Sequence, residues 1–315
     1  MQPALNIGVD VAKDDVMVAC AEHTFVTRKL PNKRGELLAW LKTLPIGSRI
    51  GMEATGTYHE LLATLAQRVG LVVYVLNPKD VYHYAKATGQ RGKTDRVDAA
   101  LIARYVAKEH KELHAWFPAS ALQRQLQSLT RRRGKLTRAR ASLQSSLRGL
   151  PALAGQLRTM LGQLDALIAK LDAQARKLIQ ADAQRQRSFQ RLDAIPAVGC
   201  AVGIGLLGAL ERWALPRADC FVAFIGLDPR ANDSGHKSGR RRLSKRGDPE
   251  LRRLLYNAAM SASRTAVWRP VYQRALANGL TRVEALVVLA RQIARTAWSI
   301  YTHQTEFDPA RVHAT

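Results

Sequence analysis

Leucine recurs at every seventh position through the middle of the chain, and this period constrains the fold more than any other feature. The repeat comprises Leu122, Leu129, Leu136, Leu143, Leu150, Leu157, Leu164, Leu171 and Leu178. A seven-residue apolar period is typical of coiled coils, and Pro151 interrupts it because proline breaks a helix. The pattern predicts two long helices joined near residues 150–155, with one kinked helix as the alternative. So long a row of leucines, the leucine seam, needs a partner helix to bury it, and a second copy of the chain is the simplest source.

The first third of the chain mixes short apolar runs with helical patterns. Strand-like runs occupy residues 5–11, 16–21, 24–30, 49–54 and 71–76, and helical patterns occupy residues 35–44, 59–69 and about 94–109. Three successive strands followed by strand–helix crossovers match an α/β ribonuclease-H-like fold, whereas a Rossmann domain would alternate from its start. We expect this domain over residues 1–112, a coiled-coil helical hairpin over 113–187, and a mostly α-helical domain over 188–315.

The charge of the chain predicts a polyanionic partner. Its 49 Lys and Arg exceed its 25 Asp and Glu, which gives a net charge of +24. Between Glu112 and Asp165 there is no acidic residue but there are nine basic ones, among them Arg131, Arg132, Arg133 and Lys135, which we expect to bind nucleic acid. The sequence has neither a membrane-length apolar run nor a signal-peptide core. We therefore expect a soluble cytoplasmic protein, with a basic membrane-associated protein as a distant alternative.

Four acidic residues stand where a metal site would need them. Asp10 and Glu53 end the first and fourth predicted strands, which are neighbours in a ribonuclease-H-like sheet, and Asp95 and Asp98 share one face at a helix start. Clustered carboxylates suit Mg²⁺, with Mn²⁺ as an alternative, and two such ions would support phosphoryl transfer. Taken singly, each acid has another explanation as a turn residue or as a helix-dipole partner.

A basic loop follows in the C-terminal third. Ser234 lies between Asp233 and Gly235, where a tight turn would expose its hydroxyl. Cations that would hold a phosphate nearby are Lys237, Arg240, Arg241, Arg242, Lys245 and Arg246. Such a hydroxyl could attack a phosphodiester. From the residues alone an ordinary turn in a phosphate-binding loop is the better explanation, and Ser238 and Ser244 are equal candidates.

The segment IPAVGCAVG at residues 195–203 has the spacing of a hairpin that joins two helices. Backbone amides and a helix N-terminus in such a hairpin can bind a DNA phosphate. Close helix packing at glycine explains the segment nearly as well.

Taken together, these motifs resemble those of the DEDD transposases of bacterial insertion sequences, of the IS110 and IS1111 types, whose relatives include pilin-gene DNA invertases. The segments that carry the resemblance are GVDVAK, MEATGTY, LNPKDVYHYAKATGQRGKTDRVDA, IPAVGCAVG, FIGLDPRANDSG and LSKRGDPELRRLLYNAA. The resemblance covers nearly the whole chain and implies an N-terminal domain similar to the RuvC Holliday-junction resolvase. Its four metal-binding acids correspond here to Asp10, Glu53, Asp95 and Asp98.

The resemblance also implies a role for Ser234. It matches the nucleophilic serine of the family, which forms a covalent phosphoserine with metal assistance in an active site shared with another protomer. The family further implies dimerisation through the coiled coil, so we expect a homodimer or homotetramer. A structured guide RNA encoded by the element is the expected partner beside the double-stranded donor and target DNA, and nucleoid association in a bacterium follows.

The sequence therefore predicts a metal-dependent DNA transposase, or site-specific recombinase, with Ser234 as nucleophile. One alternative is a junction-resolving nuclease that uses metal-activated water and leaves Ser234 structural. Another is a non-catalytic nucleic-acid scaffold in which the acids only cap helices.

Overall fold

The chain forms two compact units, Met1–Pro118 and Ala119–Thr315. A computed structural model describes residues 3–312 except 23–26, 55, 91, 93, 231–232, 235–236 and 240. For residues 233–234 and 237–238 the description covers the backbone and not the side chains.

The N-terminal unit is built on a five-stranded mixed sheet. Its strands are β1 (Asn6–Val11), β2 (Asp15–Cys20), β3 (Thr27–Pro31), β4 (Arg49–Glu53) and β5 (Val72–Leu76). They lie in the order β3-β2-β1-β4-β5. The first three form an antiparallel meander, and β4 and β5 run parallel to β1. The predicted mixed α/β unit is confirmed.

Four helices cover the two faces of this sheet: α1 (Arg34–Leu41), α2 (His59–Arg68), α3 (Pro78–Ala87) and α4 (Asp95–Glu109). Side chains alternate between faces along a strand. Buried Val9 and Met52 therefore pack with Leu37 of α1 and Leu62 of α2 on one face. On the opposite face, Leu76 of β5 packs with Ile102 and Val106 of α4.

Two long helices open the second unit, α5 (Ala121–Ser146) and α6 (Ala154–Gln180). Ser120 and Gln123 form a reciprocal capping box at the start of α5. The helices are separated by a 3-10 turn at Pro151–Leu153, where proline interrupts the leucine repeat. Ion pairs from Arg133 to Asp172 and from Arg140 to Asp165 show that the two helices run antiparallel.

Helices α5 and α6 of one chain pack against each other along part of the leucine seam. The expected partner helix from a second copy of the chain stays a prediction. Leu126 of α5 and Ile179 of α6 are buried in the core of the second unit. Towards the turn the apolar side chains become exposed, because no core lies beneath them there in the described chain. Leu150 and Leu153 are examples.

The remainder of the second unit is mostly helical, as predicted. Its helices are α7 (Ala183–Asp193), α8 (Cys200–Leu210), α9 (Ala218–Phe224), α10 (Pro249–Ala262), α11 (Arg269–Ala277) and α12 (Arg282–His303). Between α9 and α10 lie four two-residue strands: β6 (Pro229–Arg230), β7 (Asp233–Ser234), β8 (Lys237–Ser238) and β9 (Arg242–Leu243). The fully buried Trp268 anchors the core, and its indole N–H donates to the Pro196 carbonyl at 3.0 Å.

Helix α12 is amphipathic and packs on the core of the second unit. Its start is fixed by a capping box in which Thr281 and Glu284 exchange hydrogen bonds. Leu289, Ile293 and Ala297 are buried on one side of the helix. Among the residues that the structure describes, no helix is both long enough and apolar enough to cross a membrane.

Candidate active site

Asp10 and Glu53 lie side by side at one edge of the sheet. Strands β1 and β4 are parallel neighbours, and their register pairs Val9 with Met52. Asp10 and Glu53 are the next residues along each strand, and both are half-buried. Because equivalent positions on parallel strands point to the same face, the two carboxylates share a face and an edge.

Two glycines bring helix α4 directly onto that face. A Cβ atom at Gly8 would collide with the Ala99 carbonyl oxygen and the Ala103 amide nitrogen, and one at Gly51 would collide with the Val106 side chain. Only a residue without a side chain lets the helix lie this close. Since Asp10 and Glu53 follow these glycines by two residues, they lie on the face that α4 covers.

The first turn of α4 supplies the other two acids. Thr94 caps the helix, and its hydroxyl accepts from the Val97 amide at 3.4 Å. Asp95 and Asp98 lie in this first turn, where Asp95 is exposed and Asp98 is half-buried. The helix dipole stabilises both carboxylates, so capping and ligand roles are compatible at these positions.

The pKa of Asp10 reports how these groups are arranged. Burial raises it, and the negative charges of Asp95, Asp98 and Glu53 raise it further, to about 6. The other three predicted acids are therefore each within electrostatic range of Asp10. A bound cation would reverse this repulsion and favour the ionised carboxylate.

The donor set fits a hard divalent cation, because it consists of carboxylate oxygens alone. Within the described ranges, however, no three His, Cys, Asp or Glu side chains are grouped closely enough to hold an ion in their present positions. The side chains would therefore have to draw together around a cation.

The structure places two further residues, Lys29 and Asn32, near the acidic residues, and the sequence analysis did not single out either. Lys29 of β3 pairs with Asp15 at 2.7 Å, and its pKa is raised by that hydrogen bond and charge and by Asp95. Asn32 donates to the Ala12 carbonyl at 2.9 Å and the Tyr58 carbonyl at 3.4 Å. It thereby joins the turn after Asp10 to the loop after Glu53. Only the folded sheet brings these segments together, so the sequence carried no signal for either residue.

The backbone of Ser234 lies in a short antiparallel pairing. Asp233 pairs with Ser238 and Ser234 with Lys237. The side chains of Ser234 and Lys237, and the whole of Arg240, lie outside the described residues. Of the other predicted phosphate ligands in this loop, Arg241, Arg242, Lys245 and Arg246 are exposed.

Ser244, an equal candidate on sequence grounds, has a structural role. It is 5% exposed, and its hydroxyl donates to the carboxylate of Asp228. Its amide also donates to the Asp228 carbonyl at 3.0 Å. The Ser244 hydroxyl therefore links the two ends of the loop that bears Ser234 and is not available to a phosphate.

Arg252 of α10 fixes the two ends of the serine-bearing loop. One of its guanidinium nitrogens donates to the Ile225 carbonyl at 3.1 Å and to the Gly247 carbonyl at 2.6 Å. Gly247 itself packs against Phe224, because a Cβ atom there would collide with the Phe224 carbonyl oxygen. The loop between residues 225 and 247 therefore starts and ends at a rigid base.

The predicted basic group on α5 divides in two. Arg131, Arg132 and Lys135 are exposed. Arg133 is only 22% exposed at its side chain and pairs with Asp172 at 2.7 Å. Acids from α6 thus neutralise part of the charge that the acid-free sequence suggested.

The segment at residues 195–203 comprises the turn after α7 and the first turn of α8. Gly203 lies against the ring of Phe189, so close helix packing explains this glycine. A Cβ atom at Gly199, the residue that caps α8, would meet no described atom within 4 Å. The amide end of α8 is therefore the part of this segment that suits a phosphate.

Comparison with known proteins relates the chain to transposases. A model described as the DEDD transposase of IS110 elements matches residues 7–154, and one described as the transposase of the IS116/IS110/IS902 family matches residues 189–273. A pilin gene-inverting protein of Moraxella bovis is 28% identical over 98% of both chains, and that of Moraxella lacunata is 27% identical over 98% of both. The transposase of insertion sequence element IS1111A of Coxiella burnetii is 29% identical over 41% of this chain and 37% of its own.

Proposed function

Because the chain belongs to the IS110 family of transposases, we propose that it cuts and rejoins DNA at Asp10, Glu53, Asp95 and Asp98, with Ser234 as the nucleophile. The observation that carries this proposal is the position of Asp10 and Glu53, which lie side by side at the ends of β1 and β4 on the face covered by α4, whose first turn holds Asp95 and Asp98. Three carboxylates that repel the partly buried Asp10 carboxylate raise its pKa to about 6 and destabilise the fold, and a cation-dependent reaction explains their grouping.

The N-terminal unit would be a ribonuclease-H-like domain similar to RuvC. The sheet order β3-β2-β1-β4-β5, with β2 antiparallel to both neighbours, supports this assignment. Acids at the ends of the two central parallel strands and at the start of the helix that covers them are consistent with it. The division into residues 1–112, 113–187 and 188–315, with the α5–α6 pair as a coiled coil, belongs to the same proposal.

Mg²⁺ is the proposed cofactor. It would be held by the four carboxylates, and it would polarise the reacting phosphate and stabilise the developing charge on its oxygens. Residues of the chain would position the reacting groups. The close packing of α4 against Gly8 orients Asp95 and Asp98. Asn32 orients the loops beside Asp10 and Glu53.

The proposed step is an in-line displacement at a DNA phosphorus. The Ser234 oxygen forms a bond to phosphorus, the bond from phosphorus to one sugar oxygen breaks, and the serine proton ends on the released sugar oxygen. Attack by another strand's sugar hydroxyl on the phosphoserine would restore Ser234 and join the strands. Exposed Arg241, Arg242, Lys245 and Arg246, with Lys237 and Arg240, would neutralise phosphate charge.

Two partners complete the proposal. The structured RNA that the family resemblance implies would use the exposed cations Arg131, Arg132 and Lys135 on α5. A homodimer or homotetramer would combine Ser234 of one protomer with the acids of another. The exposed apolar side chains near the α5–α6 turn, including Leu150 and Leu153, support an association between copies.

A covalent-attachment assay tests the nucleophile. The protein is incubated with Mg²⁺ and radiolabelled DNA that carries the sequences flanking its own gene, denatured, and resolved by electrophoresis. We expect label on the wild-type protein and on a Ser238→Ala variant, which loses a serine from the paired strand. We expect none on Ser234→Ala. Labelled Ser234→Ala would overturn the role of this serine, and cut DNA without attachment would indicate water as the nucleophile.

A further inference from the structure

Helix α3 presents four polar or aromatic side chains on one face. Lys79, Tyr82, His83 and Lys86 are spaced as i, i+3, i+4 and i+7, and all four are exposed. Tyr82 is 54% exposed. The Lys86 ammonium lies 4.7 Å from the centre of its ring, and the His83 ring meets it edge-on at 5.6 Å. We call these four residues the α3 face.

The rest of the helix is held firmly, so this face has a fixed orientation. On the other side of α3, Val81 is buried, and Tyr84 packs against Tyr105 of α4 with ring centres 4.6 Å apart. The start of the helix is capped by Asn77, whose side chain accepts from the Lys79 amide at 3.0 Å. The α3 face is therefore a rigid surface that presents an aromatic ring between two cations.

This surface begins at the same edge of the sheet as the acidic group. The register of β4 and β5 pairs Glu53 with Leu76, and α3 starts two residues after Leu76. A strand bound at the carboxylates would leave the sheet edge in the neighbourhood of α3.

We infer that the α3 face binds an unpaired segment of the DNA strand that enters the acidic site, an inference that rests on the proposed function. Proteins that hold single strands combine cations for the phosphates with aromatic rings on which bases stack. Tyr82 supplies the ring, and Lys79 and Lys86 supply the charge. Bases in a duplex are already stacked, so a ring on a convex helix face selects unpaired ones.

Binding of a fluorescent single-stranded DNA oligonucleotide to the full chain, in chelator and over a range of salt concentrations, tests this inference. Tyr82→Ala should weaken binding about ten-fold, whereas Tyr82→Phe should bind within about two-fold of wild type, because phenylalanine keeps the stacking surface. Lys79→Ala with Lys86→Ala should reduce the slope of log affinity against log salt by about 1.4, the value for two phosphate contacts on a single strand.

The matched control removes two lysines elsewhere on the same unit. Lys42 and Lys108 are exposed beside the ends of α1 and α4, and their replacement by alanine changes the net charge equally. Equal salt slopes for the two double variants, or wild-type affinity of Tyr82→Ala, would overturn the inference. An effect confined to an RNA oligonucleotide of the same length would overturn it in favour of an RNA surface.

The outcome is separable from that of the proposed function. An Asp10→Asn protein should lose cleavage of DNA in Mg²⁺ while it binds the oligonucleotide as wild type does. If that variant still cleaves DNA, the proposed role of the acidic site is wrong. Oligonucleotide binding by the Tyr82 and lysine variants still tests the α3 face in that case.

Discussion

The backbone of Gly8 lies so close to that of Ala99 that a Cβ atom at position 8 would occupy the space of the Ala99 carbonyl oxygen. This approach seats helix α4 on strand β1. It is also the reason that the first turn of α4, with Asp95 and Asp98, lies within electrostatic range of Asp10.

Replacing Gly8 by alanine should therefore destabilise the N-terminal unit. The added methyl group would meet backbone atoms rather than a movable side chain, and we expect a loss of about 3 kcal/mol or more in the free energy of unfolding, measured in urea. Gly35→Ala is the control, because its Cβ atom would meet no described atom within 4 Å and alanine favours helix α1. Equal stability of the two variants would show that α4 moves away without cost.

Asp10→Asn should stabilise the chain while it removes activity. The pKa of Asp10 is raised from 3.8 to about 6 by burial and by Asp95, Asp98 and Glu53. A carboxyl with a raised pKa costs stability as the pH rises from its ordinary value through its folded value. At pH 7.5 in chelator we expect the free energy of unfolding of Asp10→Asn to exceed that of the wild type by about 1 to 2 kcal/mol, with solvent screening included. At pH 4 the gain should nearly vanish.

Urea unfolding at the two pH values checks this expectation. Added Mg²⁺ should raise the stability of the wild type and leave that of Asp10→Asn nearly unchanged. A gain that is the same at pH 4 and pH 7.5 would mean that the carboxyl charge is not its source.

Glu250→Gln should destabilise the second unit in a pH-dependent manner. Glu250 is 6% exposed and pairs with Arg138 of α5 at 2.7 Å and with Arg253 at 2.5 Å. Burial raises its pKa, but these two arginines outweigh burial and hold the pKa below its ordinary value. The pairs therefore stabilise the fold above pH 4.5, and this contribution is lost as the pH falls.

Glu250→Gln should lower the free energy of unfolding by about 2 kcal/mol at pH 7. This loss should shrink below pH 4.5. Glu306→Gln provides the comparison, because Glu306 pairs with Arg191 but its side chain is 74% exposed. Its cost should stay below about 0.5 kcal/mol. Similar losses in the two variants would refute a special role for the buried pair.

Arg252→Lys should reduce covalent attachment to DNA more than it reduces stability. The lysine ammonium ends one atom short of the arginine nitrogen that donates to both the Ile225 and Gly247 carbonyls, so lysine would not reach both acceptors. We expect a loss of about 1 to 2 kcal/mol in the free energy of unfolding, with a several-fold loss of phosphoserine. Arg274→Lys, at an exposed position of α11, should match wild type in both. Full attachment by Arg252→Lys would show that the loop base does not position Ser234.

The sequence predicted those features whose physical cause is local. Alternation and apolar runs predicted five strands near their observed positions, and Pro151 predicted the break between α5 and α6. The positions of Asp10 and Glu53 at strand ends followed from the same pattern. The family, too, was identified correctly from short motifs.

Features that depend on distant segments were missed for a physical reason. The need for glycine at positions 8 and 51 arises only when α4 packs on the sheet. From the sequence, Glu250 is an ordinary acidic residue at the start of a helix. Only the structure shows that its carboxylate packs against Gly134 of α5. The leucine period and Pro151 predicted two long helices, but a periodic pattern cannot tell a partner helix in the same chain from one in a second copy.

Binding of Mn²⁺, followed by the electron paramagnetic resonance of the free ion, tests the central claim most directly. The claim predicts saturable binding by the wild type and by a Glu36→Gln, Glu112→Gln control that removes two exposed acids of the same unit. It predicts loss of that binding in Asp10→Asn with Glu53→Gln. Equal binding by all three proteins would contradict a cation site at these carboxylates.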